Sequence, residues 1–406
     1  TAVRLQQAAS PGAIVVGPNA HAATRRIFDY QELGPLALKG KSAPVVGWRA
    51  VAVRTRRGGS RAPLGLQAPF VGRGTEIGLL KETLRRAVAD GRPHLITVLG
   101  EAGVGKSRLT WELEKYLDGL PDVYHWRKGR GHAYASPPFG PIVDIIKMDA
   151  SILDDDPSER VRAKLRTRLT QLPLGTEADA VRDALEKVLG IGGAGELPRE
   201  ELFDAWRRYL RGIAELEPLV LVVEDTHWAG DGTLSFVDFE ARWGEGPIIL
   251  LCLARHELLE LRPGWGGGLP NAATIYLERL SAEDTGAMLD GLLSGDAPES
   301  LSQRVVAMTE GNPLFVEETV RMLVDRGVLR FVGDRWQLTR RLDDIDVPGS
   351  VQAVLAARLD ALPEGEKAIA QVAAVVGRVF WDRLVAALAG LDLPAALGHI
   401  DSLRVK

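Results

Sequence analysis

A chain of 406 residues has room for two or three domains of the usual size, about 150 residues each. Hydrophobic residues at 46% and charged residues at 26% exclude a wholly disordered or collagen-like chain and predict packed cores. Fifty basic against fifty-four acidic side chains give a net charge of −4, which excludes a molecule-wide pull towards nucleic acid or an anionic membrane and leaves either partner only a local patch.

The chain opens at Thr1 rather than Met and has no charged-then-apolar leader, so it reads as an excerpt of a longer, soluble protein. Residues 1–53 alternate β-rich runs with one helical stretch: Ala13 to Val16, a helix from Asn19 to Phe28, then Leu36 to Leu38 and Val45 to Val53. Residues 54–68, rich in Arg, Gly and Pro, predict a linker. Thr75 is predicted to cap a helix whose apolar positions Ile77, Leu80, Leu84 and Val88 recur at helical spacing. A strand from Leu95 to Leu99 follows, then a glycine-rich turn and a helix with Leu109, Leu113, Tyr116 and Leu117 on one face.

Amphipathic stretches over Val161–Leu169, Val181–Val188 and Leu202–Ile213 lead to the apolar strand Leu219 to Val223. A helix near Leu234 to Phe239 and the strand Ile248 to Leu253 come next. Continuous apolar runs alternating with helices predict an α/β domain, 69–278, with a parallel sheet covered on both faces. The longest strongly apolar run, Ile248 to Ala254, is far short of the roughly 20 residues that span a bilayer, so no membrane partner is expected. It holds Cys252, the only cysteine, which excludes an intrachain disulfide and fits a reducing, cytoplasmic setting.

After a strand at Thr274 to Leu277 the pattern turns helical. Ser281 with Asp284 forms a capping-box start, and Gly311 ends a second helix ahead of Asn312-Pro313. Val328 to Leu338, with a Gly333-Asp334 turn, predicts a hairpin of wing size, and helices follow at Gly349 to Leu362 and Glu364 to Val376. The expectation is a helical lid, 279–327, and a winged-helix-like module, 328–406, cut short at Lys406.

The chemistry starts at Gly100-Glu101-Ala102-Gly103-Val104-Gly105-Lys106-Ser107, which fits G-x-x-x-x-G-K-[ST] between a strand and a helix. Such a loop turns successive backbone amides towards one anion, and the helix N-terminus adds partial positive charge. Lys106 is expected to reach the β and γ phosphates of a nucleotide and Ser107 to ligate Mg²⁺. The ion needs a second holder at the tip of a neighbouring strand, and Glu224-Asp225 after Leu219 to Val223 supplies carboxylates. Glu224 is placed to hold the Mg²⁺ shell through water and Asp225 to orient or deprotonate the attacking water, the division between them being open. His227 and Trp228 read as packing or orientation beside that strand end. Arg255, ending the Ile248 strand, offers a planar donor for a γ-phosphate. Asn312-Pro313-Leu314-Phe315 is either a packing surface for the base or a plain helix connection.

In order, Phe70-Val71-Gly72-Arg73 with Glu76, the glycine loop, Glu224-Asp225 with His227-Trp228-Ala229, Arg255, and Gly311 to Phe315 resemble the STAND class of signal-transduction P-loop ATPases, within the broader AAA family, from about Pro69 to the C-terminus. The resemblance implies that Arg73 and Pro313 line the nucleotide site, that Arg255 is the sensor residue, and that the winged-helix module closes on ATP or ADP. Relatives usually carry Asp directly after His-Trp-Ala, whereas here Gly230 stands there with Asp231 next.

Residues 1–53 resemble the C-terminal end of a class III adenylate or guanylate cyclase domain, an α+β remnant, through Arg4-Leu5-Gln6 and Leu38-Lys39-Gly40-Lys41 with Pro44-Val45. That likeness implies a transition-state role for Arg4, triphosphate binding by Lys39, and a homodimer through the cyclase part. The metal-binding aspartates of such enzymes lie further upstream, so the segment itself carries no two-metal chemistry.

The leading expectation is a nucleotide-dependent switch with slow ATP hydrolysis that regulates the attached cyclase within the same chain. The alternatives are a parent protein that is chiefly a cyclase making cyclic AMP, and an ATP-dependent transcriptional regulator. The last is disfavoured because residues 348–406 carry six basic and six acidic side chains, so no nucleic acid partner is expected.

Overall fold

The computed structural model describes residues 5, 9, 14–18, 20, 21, 28–36, 45–53, 68–120, 122–133, 137–154, 156–192, 197–295, 297–332, 335–340, 349–360, 362–377 and 380–405. It divides into two compact units, 1–67 with 364–406, and 68–363.

In the first unit, β1 (Val15–Val16), β2 (Phe28–Leu36) and β3 (Val45–Val53) form an antiparallel sheet in the order β1-β3-β2. β2 corrects the sequence reading, which took Phe28 as a helix end and began a strand only at Leu36. Pairing along β3, from Phe28↔Val53 to Leu36↔Val45, outweighs the weak helical periodicity. The His21 ring stacks on Trp48 at 4.2 Å and meets Tyr30 edge-on at 4.9 Å. Leu38 to Pro44 and nearly all of the predicted linker lie outside the described residues.

The second unit opens with α1 (Gly74–Asp90), followed by β4 (His94–Leu99), α2 (Lys106–Asp118), β5 (His125–Arg130) and α3 (Gly140–Asp149). Thr75 does not cap α1, because the helix starts one residue earlier at Gly74 with Arg73 at the cap position and no side-chain cap bond. Ala87 is buried where Val88 was expected, and Val88 is exposed. Then come α4 (Ser158–Leu169), α5 (Ala178–Val188), α6 (Arg199–Ala214), β6 (Leu219–Glu224), α7 (Asp231–Trp243), β7 (Ile248–Ala254), α8 (Glu257–Leu261) and β8 (Ala272–Tyr276).

The five strands β4 to β8 form one parallel sheet in the order β5-β6-β7-β4-β8, which bears out the predicted α/β class. Its apolar runs serve two cores by alternation. Leu219, Leu221 and Val223 of β6, with Leu250 and Cys252 of β7, join Trp206, Tyr209 and Phe236 on one face. Val220, Val222, Leu251 and Leu253 join Leu84, Leu109 and Leu113 on the other.

Three helices follow: α9 (Ala282–Leu292), α10 (Glu299–Thr309) and α11 (Pro313–Asp325). The Ser281 hydroxyl caps α9 by accepting the Asp284 amide at 3.0 Å. Gly311, after α10, has φ 75°, and a Cβ there would lie 2.1 Å from the Leu280 carbonyl oxygen, so only glycine fits. β9 (Leu329–Val332) and β10 (Arg335–Leu338) pair as an antiparallel hairpin whose Gly333-Asp334 turn lies outside the described residues. α12 (Val351–Asp360) is tied to α11 by Arg358, which pairs with Glu318 and Asp325.

The remaining helices of the first unit, α13 (Glu364–Val376), α14 (Asp382–Leu388) and α15 (Leu393–Val405), enclose Ile369, Val385, Ala386, Ala396 and Ile400. Among the described residues no single helix is long and apolar enough to cross a membrane.

Candidate functional site

The loop from Gly100 to Gly105 leaves the carboxyl end of β4, where the turns after β6, β7 and β8 also open. No amide of residues 101–105 donates a hydrogen bond to any described residue. The carbonyls of the same loop are all engaged. Lys106 Nζ donates to the Gly100 and Glu101 oxygens at 2.7 and 2.8 Å. Asn312 Nδ2 donates to the Ala102 oxygen at 3.1 Å, the Leu314 amide to the Gly103 oxygen at 3.3 Å, and the Arg73 guanidinium to the Val104 oxygen at 3.3 Å. In a planar peptide the C=O and the next N–H point in opposite directions. Carbonyls tied down at Ala102, Gly103 and Val104 therefore turn the amides of Gly103, Val104 and Gly105 the other way, into a concave array suited to an anion.

Lys106 is half-buried, and burial followed by the field of Arg255 moves its ammonium below the ordinary lysine value, against the attraction of Asp225 and Glu257. Those four charges converge although β6 is not the strand next to β4. β7 lies between, pairing with both, so the neighbouring strand end is that of Arg255. Ser107 is exposed in the first turn of α2.

Glu224 is buried at the end of β6, and Asp225 follows with φ 49°, a left-handed conformation that Asp tolerates better than most residues. Both carboxylates are engaged by β5. Lys128 reaches Glu224 at 2.7 Å and Arg130 at 3.6 Å, and Arg130 also pairs with Asp225. Parallel register opposite Glu224 puts Arg130 there. Sequence reasoning missed both cations because His125 to Arg130 has no apolar pattern; two basic residues at alternate positions just ahead of Gly131 were the available signal.

His227 is buried and accepts the Arg255 amide at Nδ1 over 3.4 Å. Burial holds its imidazole below the ordinary value, against the opposing field of Asp225. The Arg255 guanidinium lies 5.3 Å from the Trp228 ring centre, a cation–π distance.

Arg73 also donates to the Glu278 carbonyl and pairs with Glu76 at 3.1 Å, so it joins the loop to the segment after β8. Pro313 is the first residue of α11, directly after Asn312, whose side chain caps that helix. On the surface, Arg279 links Glu101 of the loop at 3.0 Å to Glu310 at the end of α10. Arg4 and Lys39 lie outside the described residues.

Free amides backed by an ammonium group fit the polyphosphate of a nucleotide. The described residues hold no cluster of three His, Cys, Asp or Glu side chains for a metal. Mg²⁺ bound with a nucleotide keeps several waters and draws ligands from phosphate, so it asks few side chains of a protein. Ser107 and Glu224 are the side chains that would hold it.

Residues 69–245 match the family model of the AAA ATPase domain. An uncharacterized protein of Rhizobium meliloti (strain 1021) is 25% identical over 93% of this chain, which spans 36% of that protein's length. Among solved structures, the ORC1 protein of Aeropyrum pernix in complex with DNA is similar with a TM-score of 0.43 at 12% identity, over 85% of this chain and 86% of that one. A STAND protein with a tetratricopeptide repeat sensor from Pyrococcus horikoshii gives 0.42 at 13% identity, over 85% and 41%. The RuvB Holliday junction branch migration motor of Thermotoga maritima gives 0.33 at 15%, over 80% and 84%. The site thus begins within the segment, residues 69–245, that matches the AAA ATPase domain.

Proposed function

We propose that the chain is a STAND-type switch, in which ATP or ADP held by the Gly100–Ser107 loop sets the position of helices α9 to α11 and, through it, the output of an attached adenylate cyclase. The observation that carries the nucleotide part is the row of uncommitted amides from residue 101 to 105 backed by Lys106. In this reading Lys106 meets the β and γ phosphates, Arg255 reads the γ-phosphate, Ser107 and Glu224 hold Mg²⁺, and Asp225 orients or deprotonates the attacking water. Arg73 and Pro313 line the site. The domain division that goes with it is a P-loop domain over 69–278, a helical lid over 279–327 and a winged-helix-like module over 328–406, working in the cytoplasm.

The cyclase part rests on the motifs around Arg4 and Lys39, with a homodimer formed through that segment. In the full-length protein, Arg4→Ala is expected to abolish cyclic AMP formation. Hydrolysis is expected to be slow, because Asp225 is shared with Arg130 and Glu224 with Lys128 and Arg130. Asp225→Asn is expected to keep ATP binding while phosphate release, followed by a coupled colorimetric assay, falls by about a hundredfold, within the span typical of general-base loss. Wild-type turnover in that variant contradicts the role given to Asp225.

A further inference from the structure

Asn312 has a buried side-chain amide that faces two elements at once. Its oxygen accepts the Leu314 amide at 3.1 Å and the Phe315 amide at 3.3 Å, capping α11. Its nitrogen donates to the Ala102 carbonyl of the phosphate loop at 3.1 Å. The orientation of this amide is fixed by its neighbours, because a flip would set two donors against donors and an acceptor against an acceptor. The fit is close: at Gly103, with φ 79°, a Cβ would lie 2.8 Å from the Asn312 oxygen. Two residues after Asn312, the Leu314 amide is shared between that oxygen and the Gly103 carbonyl.

We propose that Asn312 is a positioning residue of the phosphate site, which holds the Ala102 carbonyl outward so that the loop amides face the anion and couples that loop state to the first turn of α11. The inference rests on the nucleotide reading above and adds a direction to it. Anything that binds better to the outward-carbonyl loop also favours the docked α11, and docking of α11 raises anion affinity by the same factor. A nucleotide thereby moves the lid through two residues that need not touch it, Asn312 and the backbone of Leu314.

Two substitutions separate the cap from the coupling. Asn312→Asp keeps the capping oxygens, which serve as well as those of Asn, but sets a carboxylate against the Ala102 carbonyl. Asn312→Ser keeps a shorter capping oxygen, brings no charge, and cannot span to Ala102. Circular dichroism and thermal melting should show both variants folded. In the nucleotide-free protein, hydrogen exchange at the amides of residues 103–105 and 313–316 should be faster in both. In calorimetric titrations with ATP, both should bind about tenfold more weakly than wild type, the loss of one well-placed bond to a buried partner. Wild-type affinity and unchanged loop exchange in Asn312→Ser overturn the inference while leaving the nucleotide site standing, and weakening confined to Asn312→Asp overturns it too, as a charge effect. Failure of the wild-type chain to bind ATP overturns the nucleotide reading and this inference with it.

Discussion

Glu240, inside α7, has no exposed surface, and neither of its carboxyl oxygens has a hydrogen-bond partner among the described residues. Burial pushes its pKa from 4.5 up to about 8, with Arg207 opposing and Glu245 adding to the shift. Between those two values the folded chain holds a proton that the unfolded chain has released. Stability should therefore fall as pH rises from about 4.5 to about 8, and level off above. Glu240→Gln, a neutral mimic of the protonated side chain, should match wild type in urea denaturation at pH 5 and exceed it by several kcal/mol at pH 8, on the order of 1.4 kcal/mol for each pH unit in the window. Parallel pH profiles for the two proteins would contradict this assignment. Gly311→Ala is the opposite case, a strained backbone with no room beside Leu280, and should cost roughly 2–4 kcal/mol in the same measurement. At this scale the sequence was most legible where spacing dictates chemistry. Lys106, Glu224, Asp225 and Arg255 could be named because a glycine loop and apolar strand ends mark them. Glu240 could not, since one acid within an amphipathic helix looks like any solvated one.

At the scale of elements, β4, β6 and β7 were readable because their apolar runs are unbroken, while β5 was hidden by its composition, His-Trp-Arg-Lys-Gly-Arg. Its polar side chains are paired rather than solvated: Arg127 joins Asp149, a buried carboxylate also held by Arg168 and Tyr209, and Lys128 and Arg130 join Glu224 and Asp225. Single-sequence patterning registers burial against carbon and misses burial against charge. Arg130→Met should accordingly cost about 1–3 kcal/mol in thermal or chemical denaturation, because Asp225 loses its one ion pair among the described residues and Glu224 keeps only that with Lys128. By contrast Arg279→Ala should change stability by less than about 1 kcal/mol, since its pairs with Glu101 and Glu310 lie in solvent. β2 fails for another reason. Its tyrosine, glutamine and glutamate suit either structure locally, and only the partner strand β3, seventeen residues further on, decides.

At the scale of the whole molecule, two compact units predict two calorimetric transitions. Only the transition of residues 68–363 should move with nucleotide, by about 2.7 kcal/mol at a hundredfold excess of ATP over its dissociation constant. A shift of both together would mean that the units unfold as one. The proposed switch would ask about 5.5 kcal/mol of differential affinity to carry a lid from one part in a hundred closed to ninety-nine, a demand that Lys106, Arg255 and the Asn312 link would share. The most direct measurement of the central claim is isothermal titration of Mg-ATP into the wild-type chain and into Lys106→Ala at the same pH and salt. The account requires saturable one-to-one binding by wild type and at least a hundredfold weaker binding by the variant. Equal affinities, or no binding by wild type, would contradict it.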